Sequence, residues 1–497
     1  MKKSIYILTI LSIVYIIGCG SPSSKEPSDD RNNDRNDTNQ SNNIFMSLKV
    51  QVPLITPSDE FVCINFDDLK SPIPMNLDYE NNWKIDISAD MIESYNYKYC
   101  RNCECGAADE YFKDIEISWR TLSFKEDTSQ NDKVNKWRWN DGTYSNFALN
   151  ENGYKTTKPS SLNKTDFMAG MMLIDWWKKD WMKSVGSTLA KIKNDTSSNW
   201  IQYTPIPTIT QLYPTPLIVK NATNGTSDED LIKIIQSTHA KGMKFFLNPS
   251  PWSFTEDNSS ENHTQEWWNA YESQWRPIML QYATLSEENG VEMLEFKMWP
   301  SIDGISYDES AKMNTLAQNL LDDVRAIYNG KIAVPAIMYD TTKPILDVQR
   351  NTDYISTKLW SYYPWHLANT KDDNVTQITT IIESKFDEFV QSYYENNVSK
   401  PIIIEQLSAK SYDGGMIEAN TNDEIINPFY KNDSNWTIDL QEQADFYEAS
   451  LNAISKRDYI HGTFAFTYFY WNSIDKDLNL RGKPASKVVS KWYKWMQ

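Results

Sequence analysis

Two glutamates stand near the ends of buried, strand-like segments, where a carboxyl group can do acid–base chemistry. Glu405 follows an apolar run in "KPIIIEQLSAKSYDGG", Lys400–Gly415, and Glu295 lies in "VEMLEFKMW". Two such carboxyl groups, one protonated and the other ionised, can act as a general acid and a general base. The alternative for Glu405 is an ordinary strand-end glutamate in a salt bridge. Glu405 and Glu295 are therefore the candidate catalytic residues.

Aromatic and polar side chains gather where the predicted strands end and loops begin. Flat aromatic rings suit the apolar faces of sugars, and scattered Asp, Asn and Gln side chains suit their hydroxyl groups. Three further loop acids, Asp303, Asp340 and Asp413, are candidates for the acid role. The predicted substrate-binding residues are Asp175, Trp176, Asn248, Trp252, Trp299, Trp360, Tyr362, Tyr363, Gln406, Tyr468 and Trp471.

These residues need a scaffold that brings many strand ends together. From about residue 165 to residue 497, apolar runs alternate with amphipathic segments in about eight strand-then-helix units. This alternation predicts an α/β fold, a (β/α)8 TIM barrel in which the site lies at the carboxyl ends of the strands. Within it, Ser227 predicts a helix start and Gly242 a helix end. Pro277 predicts a break or kink in another helix.

Residues 45–155 show a different sequence pattern, with short runs of alternating apolar and polar residues separated by turn residues. This pattern predicts a small β-rich domain, either a sugar-binding or a spacer module. It holds four cysteines as disulfide candidates, Cys63, Cys100, Cys103 and Cys105. An exported chain favours two disulfides, and their connectivity stays open. A metal site is the alternative, but the spacing is not that of a zinc site, so we expect no metal.

The first 44 residues predict export and anchoring. Residues 1–19 have two lysines, a short apolar run and Gly18-Cys19, which is a signal peptide too short to span a membrane. The ending "YIIGC" resembles the lipoprotein box, in which Cys19 becomes lipidated. Residues 20–44 are Ser-, Asn- and Asp-rich, as in a disordered tether. We expect a chain in the cell envelope, lipid-anchored to a bacterial membrane and facing the periplasm or the exterior.

Charge narrows the range of partners. The 497 residues carry a formal net charge of −18, which argues against nucleic acid as a partner, because phosphate binding needs clustered Lys and Arg. No phosphate loop or Gly-x-Gly-x-x-Gly motif follows a strand, and no pattern for a bound metal ion is found in the barrel. We therefore expect no cofactor, a poly- or oligosaccharide as the partner, and a monomer.

The order of motifs resembles glycoside hydrolase family 113 and its relatives, (β/α)8 barrels that include β-mannanases. The matching pieces are "TSDEDLIKIIQSTHAKGMKFFLNP", "EWWNAYESQWRPIMLQYATLSEENGVEMLEF", "VRAIYNGKIAVPA", "LWSYYPW" and "KPIIIEQLSAKSYDGG", followed by "QEQADFYEASLNAI" and "HGTFAFTYFYW". The resemblance covers about two thirds of the chain. It implies a retaining hydrolase of β-mannan-like glycans, with an acid/base glutamate on strand four and a nucleophilic glutamate on strand seven.

Both family glutamate positions are substituted here. Aligned without a gap, the acid/base falls on Trp299 and the nucleophile on Gln406, one residue after Glu405. Because strand side chains alternate between faces, Glu405 points away from the barrel mouth if Gln406 points towards it, unless a bulge re-aims it. By the same alternation, Glu295 shares a face with Lys297, and we expect the two to form an ion pair.

Three hypotheses follow for the barrel. A bulge on strand seven would place Glu405 as the nucleophile of a working glycosidase, with Glu295 or a loop acid as the proton donor. Without it, the barrel would be a catalytically inactive protein that binds glycans through its aromatic rim. The third hypothesis is an adhesive or structural surface lipoprotein with no role in sugar binding.

Overall fold

The computed structural model describes most of the chain after residue 44. The described residues are 45–67, 71–88, 96–111, 119–122, 129–142, 158–160, 162, 164–173, 177–220, 225–253, 263–298, 307–338, 341–342, 344–361, 374–416 and 437–497. The predicted signal peptide, Cys19 and tether lie outside these residues. Among the helices in them, none is long and apolar enough to cross a membrane.

The N-terminal region is β-rich, as its alternating runs predict. Its strands form two four-stranded sheets, ordered β4-β5-β1-β8 and β3-β2-β6-β7. Inward side chains of both sheets share one apolar core that includes Leu48, Ile64 and Tyr99. The strands are β1 (Phe45–Gln51), β2 (Val62–Phe66), β3 (Ile73–Pro74), β4 (Asn76–Tyr79), β5 (Asn82–Ser88), β6 (Asn96–Arg101), β7 (Arg120–Thr121) and β8 (Ser129–Lys133).

The four cysteines of this region form two disulfides, as in the favoured prediction. Cys63 of β2 is bonded to Cys103, and Cys100 of β6 is bonded to Cys105. Both bonds tie the loop after β6 to the sheet that contains β2 and β6. The structure thus supplies the connectivity that the sequence leaves open.

Buried ion pairs join the β-rich region to the loop that follows the last barrel strand. The Arg481 guanidinium donates to Asp59 at 2.7 Å and lies 3.3 Å from a Glu60 oxygen. The other Glu60 oxygen accepts from Arg101 at 2.7 Å. The side chains of Arg481, Glu60 and Arg101 are all fully buried. A buried charge is tolerated only with such partners, so this contact is specific rather than incidental.

The rest of the described chain is built around a closed barrel of eight parallel strands, which confirms the predicted fold class. The strand order is β10-β13-β15-β16-β17-β18-β19-β9, and a separate small sheet is made by β11, β12 and β14. The strands are β9 (Met168–Leu173), β10 (Trp200–Tyr203), β11 (Thr208–Gln211), β12 (Leu217–Val219), β13 (Lys244–Leu247), β14 (Trp252–Ser253), β15 (Met293–Glu295), β16 (Lys331–Pro335), β17 (Tyr354–Trp360), β18 (Ile402–Ser408) and β19 (Ile460–Tyr468).

A helix follows each barrel strand and covers its outer face. The helices are α1 (Val185–Thr196), α2 (Asp228–Ala240), α3 (Gln265–Glu288), α4 (Tyr307–Ile327), α5 (Asp347–Asn351), α6 (Val375–Glu395), α7 (Leu440–Ser455) and α8 (Ala485–Met496). The predicted cap of α2 is confirmed, because the Ser227 hydroxyl accepts from the backbone N–H of Asp230 at 3.2 Å. Gly242 follows that helix with a φ of +66°.

Of the break or kink predicted at Pro277, the break is absent, because α3 runs through that residue as one 24-residue helix. Proline removes one backbone donor from a helix. Here the buried face of α3 holds the rings of Trp268, Tyr271 and Trp275 on the N-terminal side of the proline, and Tyr282 on the other side. Packing on both sides of Pro277 keeps the two halves of the helix together.

Strand alternation separates two apolar layers. Met168, Trp200, Phe246, Met293 and Phe464 belong to a small cluster inside the barrel. Their sequence neighbours pack outwards with the helices in the main core. A residue's distance in sequence from an inner-cluster residue therefore tells which way it faces.

Candidate active site inside the barrel

A bulge in β18 controls the orientation of Glu405. The pairing of β17 with β18 passes from Thr357–Ile404 directly to Lys358–Gln406. Glu405 has no counterpart on β17, so β18 contains one extra residue at this point. An extra residue of this kind bends a strand and redirects the side chains beside it. Because β18 is the seventh barrel strand in chain order, the bulge that the hydrolase hypothesis requires on strand seven is present.

The residues on either side of the bulge show where Glu405 points. Ile403 belongs to the inner cluster and Leu407 to the outer core. In a regular strand, side chains alternate between the two faces. Glu405 is two residues after inward-facing Ile403, so it faces inwards. Gln406 directly precedes outward-facing Leu407, so it faces inwards as well. Glu405 thus faces the barrel interior together with Gln406, not the helix layer.

An amide and an ammonium group hold the Glu405 carboxylate. Asn248, which follows β13, donates its side-chain amide to Glu405 Oε2. The Lys297 ammonium lies 3.8 Å from the same oxygen and donates to Asn248 Oδ1 at 2.6 Å. Only 2% of Glu405 is exposed. A donated hydrogen bond and a nearby cation both stabilise a negative charge at this position.

Glu295 is the second carboxyl group inside the barrel. It lies at the end of β15, and its Oε1 accepts from the hydroxyl of Ser356 on β17. Its other oxygen is buried without a hydrogen-bond partner among the described residues. Burial, followed by the charge of Glu405, raises the pKa of Glu295 to about 8, although Lys297 acts in the opposite direction. At neutral pH this carboxyl group is mostly protonated.

The predicted ion pair of Glu295 with Lys297 is not formed within the described part of the barrel. Both side chains face the interior, as strand alternation predicts, but the ammonium pairs with Glu405 instead.

Glu295 lies deeper in the barrel than Glu405. Its partner Ser356 is paired with Ile403, two residues before Glu405 on β18. Two residues of a strand span roughly 7 Å. The two carboxyl groups therefore occupy neighbouring layers of the interior, close enough for the charge of Glu405 to act on the pKa of Glu295.

The structure places part of the predicted sugar-binding set at this pair. Asn248 contacts Glu405 directly, while Gln406 and Trp360 are half-buried at the mouth ends of β18 and β17. The backbone of Trp252 pairs with β11, whereas its side chain lies outside the described residues. Asp175, Trp176, Trp299, Tyr362, Tyr363, Asp303 and Asp340 also lie outside them. Asp413 lies in the loop after β18, close to Asp439 and Glu442.

Two predicted rim residues are buried elsewhere. Tyr468 is fully buried in the outer core, and its hydroxyl donates to Asp195 at 2.8 Å. Trp471 is 1% exposed and stacks on Phe469, with ring centroids 4.5 Å apart. Neither ring is open to a ligand. Aromatic composition alone does not distinguish a ring that packs in a core from one that faces a groove.

Three inward-facing polar residues were not predicted as site residues. Ser356 contacts Glu295, Lys297 contacts Asn248, and Lys358 lies two residues beyond Ser356 on β17. The sequence carries one usable signal for them, which is a polar residue at every second position of an otherwise apolar strand.

An eight-stranded parallel barrel with two carboxyl groups inside is compatible with a glycoside hydrolase, and comparison with known proteins identifies the family. The model of Glycoside Hydrolase Family 113 matches residues 177–483, more than half of the chain. The protein belongs to this family. Its barrel is similar to that of a solved GH113 β-1,4-mannanase at 18% identity and a TM-score of 0.51, covering 66% of this chain and 99% of that one.

A second similar structure is the GH113 β-mannanase AaManA from Alicyclobacillus acidocaldarius, in complex with ManMIm. It is 16% identical with a TM-score of 0.50, covering 67% of this chain and 99% of that one. At such identities the likeness shows the fold alone. A comparison with curated protein sequences finds no match.

Proposed function

We propose that the barrel binds a β-mannan-like poly- or oligosaccharide and hydrolyses it with retention of configuration. Glu405 is the nucleophile in this proposal, and Glu295 is the acid that protonates the leaving group. Trp360, Asn248 and Gln406 contact the sugar. The membership of the family and the bulge that turns Glu405 inwards support this assignment.

The observation that carries the proposal is the unequal state of the two carboxyl groups. Glu405 has an ammonium and an amide beside it, whereas burial raises the pKa of Glu295 to about 8. One group is therefore suited to attack the sugar carbon as an anion, and the other is suited to donate a proton. Retaining hydrolysis requires this division, with the carboxyl groups roughly 5–5.5 Å apart.

A specific observation favours glycan binding without hydrolysis as the second candidate function. Glu295 is fully buried and one layer below Glu405, while the family position of the acid/base is occupied by Trp299. An acid that cannot reach the glycosidic oxygen cannot protonate it, because proton transfer needs hydrogen-bond distance. The barrel would then retain a sugar site and lack turnover.

Reducing-sugar release and binding, measured together on β-mannan, separate the two functions. Glu405→Gln keeps the size of the side chain and removes the anionic oxygen, so release should fall by about a thousandfold or more while binding remains. Glu288→Gln, the same change at the exposed end of α3, is the control. Binding without release by the unchanged protein would establish the second function, and absence of both would refute the two proposals.

We also propose that the mature chain is attached to a bacterial membrane through a lipid on Cys19. The short apolar run before Cys19 and the polar segment after it support this localisation. Cys19→Ala should prevent incorporation of a labelled fatty acid and release the protein into the soluble fraction. Equal labelling of both proteins would refute the proposal.

A further inference from the structure

The inner face of the barrel carries a lysine whose positive charge no described carboxylate balances. Lys358 lies on β17 two residues after Ser356, so its side chain shares the inner face and is nearer to the mouth. It is half-buried. Its ammonium lies 5.3 Å from the centre of the Trp360 ring. Among the residues that the structure describes, it forms no ion pair with a carboxylate.

The other charged inner residues have partners of their own. The Lys297 ammonium pairs with Glu405, and Glu295 accepts a hydrogen bond from Ser356, while burial raises its pKa and favours its neutral form. Lys358 therefore places a positive charge in the described part of the interior that no ion pair offsets. This sign is opposite to that of the whole protein, whose formal net charge is −18.

Two ordinary roles for Lys358 do not account for it. It is a weak counter-charge of Glu295, because burial, Glu405 and Lys297 each act more strongly on the pKa of that residue. A cation over an aromatic ring gains about 0.5–1 kcal/mol at an exposed site, and the ring does not replace hydrogen-bond acceptors for the ammonium. A half-buried ammonium at a sugar-binding mouth is better matched by an anionic ligand.

We propose that Lys358 binds an anionic sugar residue of the substrate, so that the preferred glycan is acidic rather than neutral. The inference rests on the proposed glycan-binding function and narrows its substrate class. Trp360 stacks on the sugar ring, and the Lys358 ammonium contacts its charged group. An ammonium is a point charge without the planar geometry of a guanidinium, so a carboxylate or a sulfate satisfies it equally.

The proposal is tested by equilibrium binding in the Glu295→Gln background. Glutamine reproduces the neutral state of Glu295 and cannot donate a carboxylic proton, so the ligand stays intact and the charge balance is kept. The ligands are β-1,4-linked mannohexaose, the corresponding hexamer of mannuronate, and sulfated mannohexaose. Isothermal titration gives the three dissociation constants at low and at physiological salt.

Lys358→Gln and Lys244→Gln, each added to that background, are the test and its matched control. Lys244 also lies over a tryptophan, 5.5 Å from the Trp200 ring, but at the opposite end of the barrel strands. We expect at least one acidic hexamer to bind on the order of tenfold to a hundredfold more tightly than the neutral hexamer. Lys358→Gln should remove this preference and leave the neutral affinity unchanged, whereas Lys244→Gln should preserve both.

The outcomes separate this inference from the function on which it rests. Equal affinity for neutral and acidic hexamers, or a preference that survives Lys358→Gln, overturns the inference while glycan binding stands. Binding of none of the three ligands overturns both. A preference for the uronate alone or for the sulfated hexamer alone supports the inference and identifies the charged group.

Discussion

Replacing Glu295 with glutamine is expected to flatten the pH dependence of the protein's stability between pH 5 and pH 8. Burial raises the pKa of this carboxyl group in the folded protein to about 8, from an ordinary value of 4.5. The folded state then binds a proton that the unfolded state releases. The contribution of this group to stability is fully present below pH 4.5 and falls as the pH rises from 4.5 to about 8.

The magnitude follows from the two pKa values. Each pKa unit corresponds to about 1.4 kcal/mol, so complete deprotonation costs on the order of 4 to 5 kcal/mol of folding free energy. At pH 7 the loss already amounts to roughly 3 kcal/mol. Glutamine does not titrate, so Glu295→Gln lacks this loss. Its hydrogen bond with Ser356 can be kept, because an amide offers both donor and acceptor atoms.

Urea unfolding of both proteins at pH 5, 6, 7 and 8 measures the effect. Glu104 and Glu442 also have raised pKa values, each about 7 because of burial. The quantity to compare is therefore the difference between the two proteins, in which those contributions cancel. Glu288→Gln controls for loss of a surface charge. Parallel stability curves, differing by a constant from pH 5 to pH 8, would show that Glu295 is ionised in the fold and would refute the assignment of the acid.

Three further changes test the scaffold. Replacing Cys63 and Cys103 with serine removes a disulfide between residues 40 apart and should lower the free energy of unfolding in urea by about 4 kcal/mol. Removing the disulfide between residues 5 apart should lower it by about 2 kcal/mol. Equal losses would contradict the dependence on loop length. Arg481→Met removes the cation of half-buried Asp59 and leaves buried Glu60 with Arg101 as its remaining cation, so it should cost about 3 kcal/mol; a loss below about 1 kcal/mol would show that the contact is dispensable. Gly170→Ala would place a Cβ inside the van der Waals surface of the Phe464 ring, so it should prevent folding as judged by circular dichroism, and Phe464→Leu in the same chain should restore part of it.

The fold could be predicted from the sequence because its signals are local. Alternating apolar runs and helix caps such as Ser227 depend on neighbours within a few residues, and they defined the barrel. Pro277 is a position where the local sequence pattern alone gives the wrong structure. Proline disfavours a helix interior, yet contacts of the aromatic face of α3 outweigh that preference. Those contacts involve residues distant in sequence, so no local pattern reports them.

The candidate site could be predicted only in part, for a similar reason. Strand parity predicts that Glu295 and Lys297 share the inner face, whereas the inward direction of Glu405 depends on the bulge in β18. The pairing of the Lys297 ammonium with Glu405 rather than with Glu295 depends on how different strands are placed in the closed barrel, which no pattern within one strand reports. The burial of Tyr468 likewise depends on packing that no pattern in β19 reports.

The bulge in β18 settles a question that alignment alone states wrongly. A gap-free alignment forces a choice between Glu405 and Gln406, because it assumes a regular strand in which only one of two neighbours faces inwards. The extra residue removes that assumption and allows both to face inwards. Two side chains, a carboxylate held by Lys297 and an amide at the mouth, then face inwards where the family resemblance places the nucleophile. Glutamine at position 406 is therefore no argument against catalysis. The proton donor is the less certain part of the pair by position, because the family resemblance places it at Trp299, whereas Glu295, the inner carboxyl group on β15, lies one layer deeper.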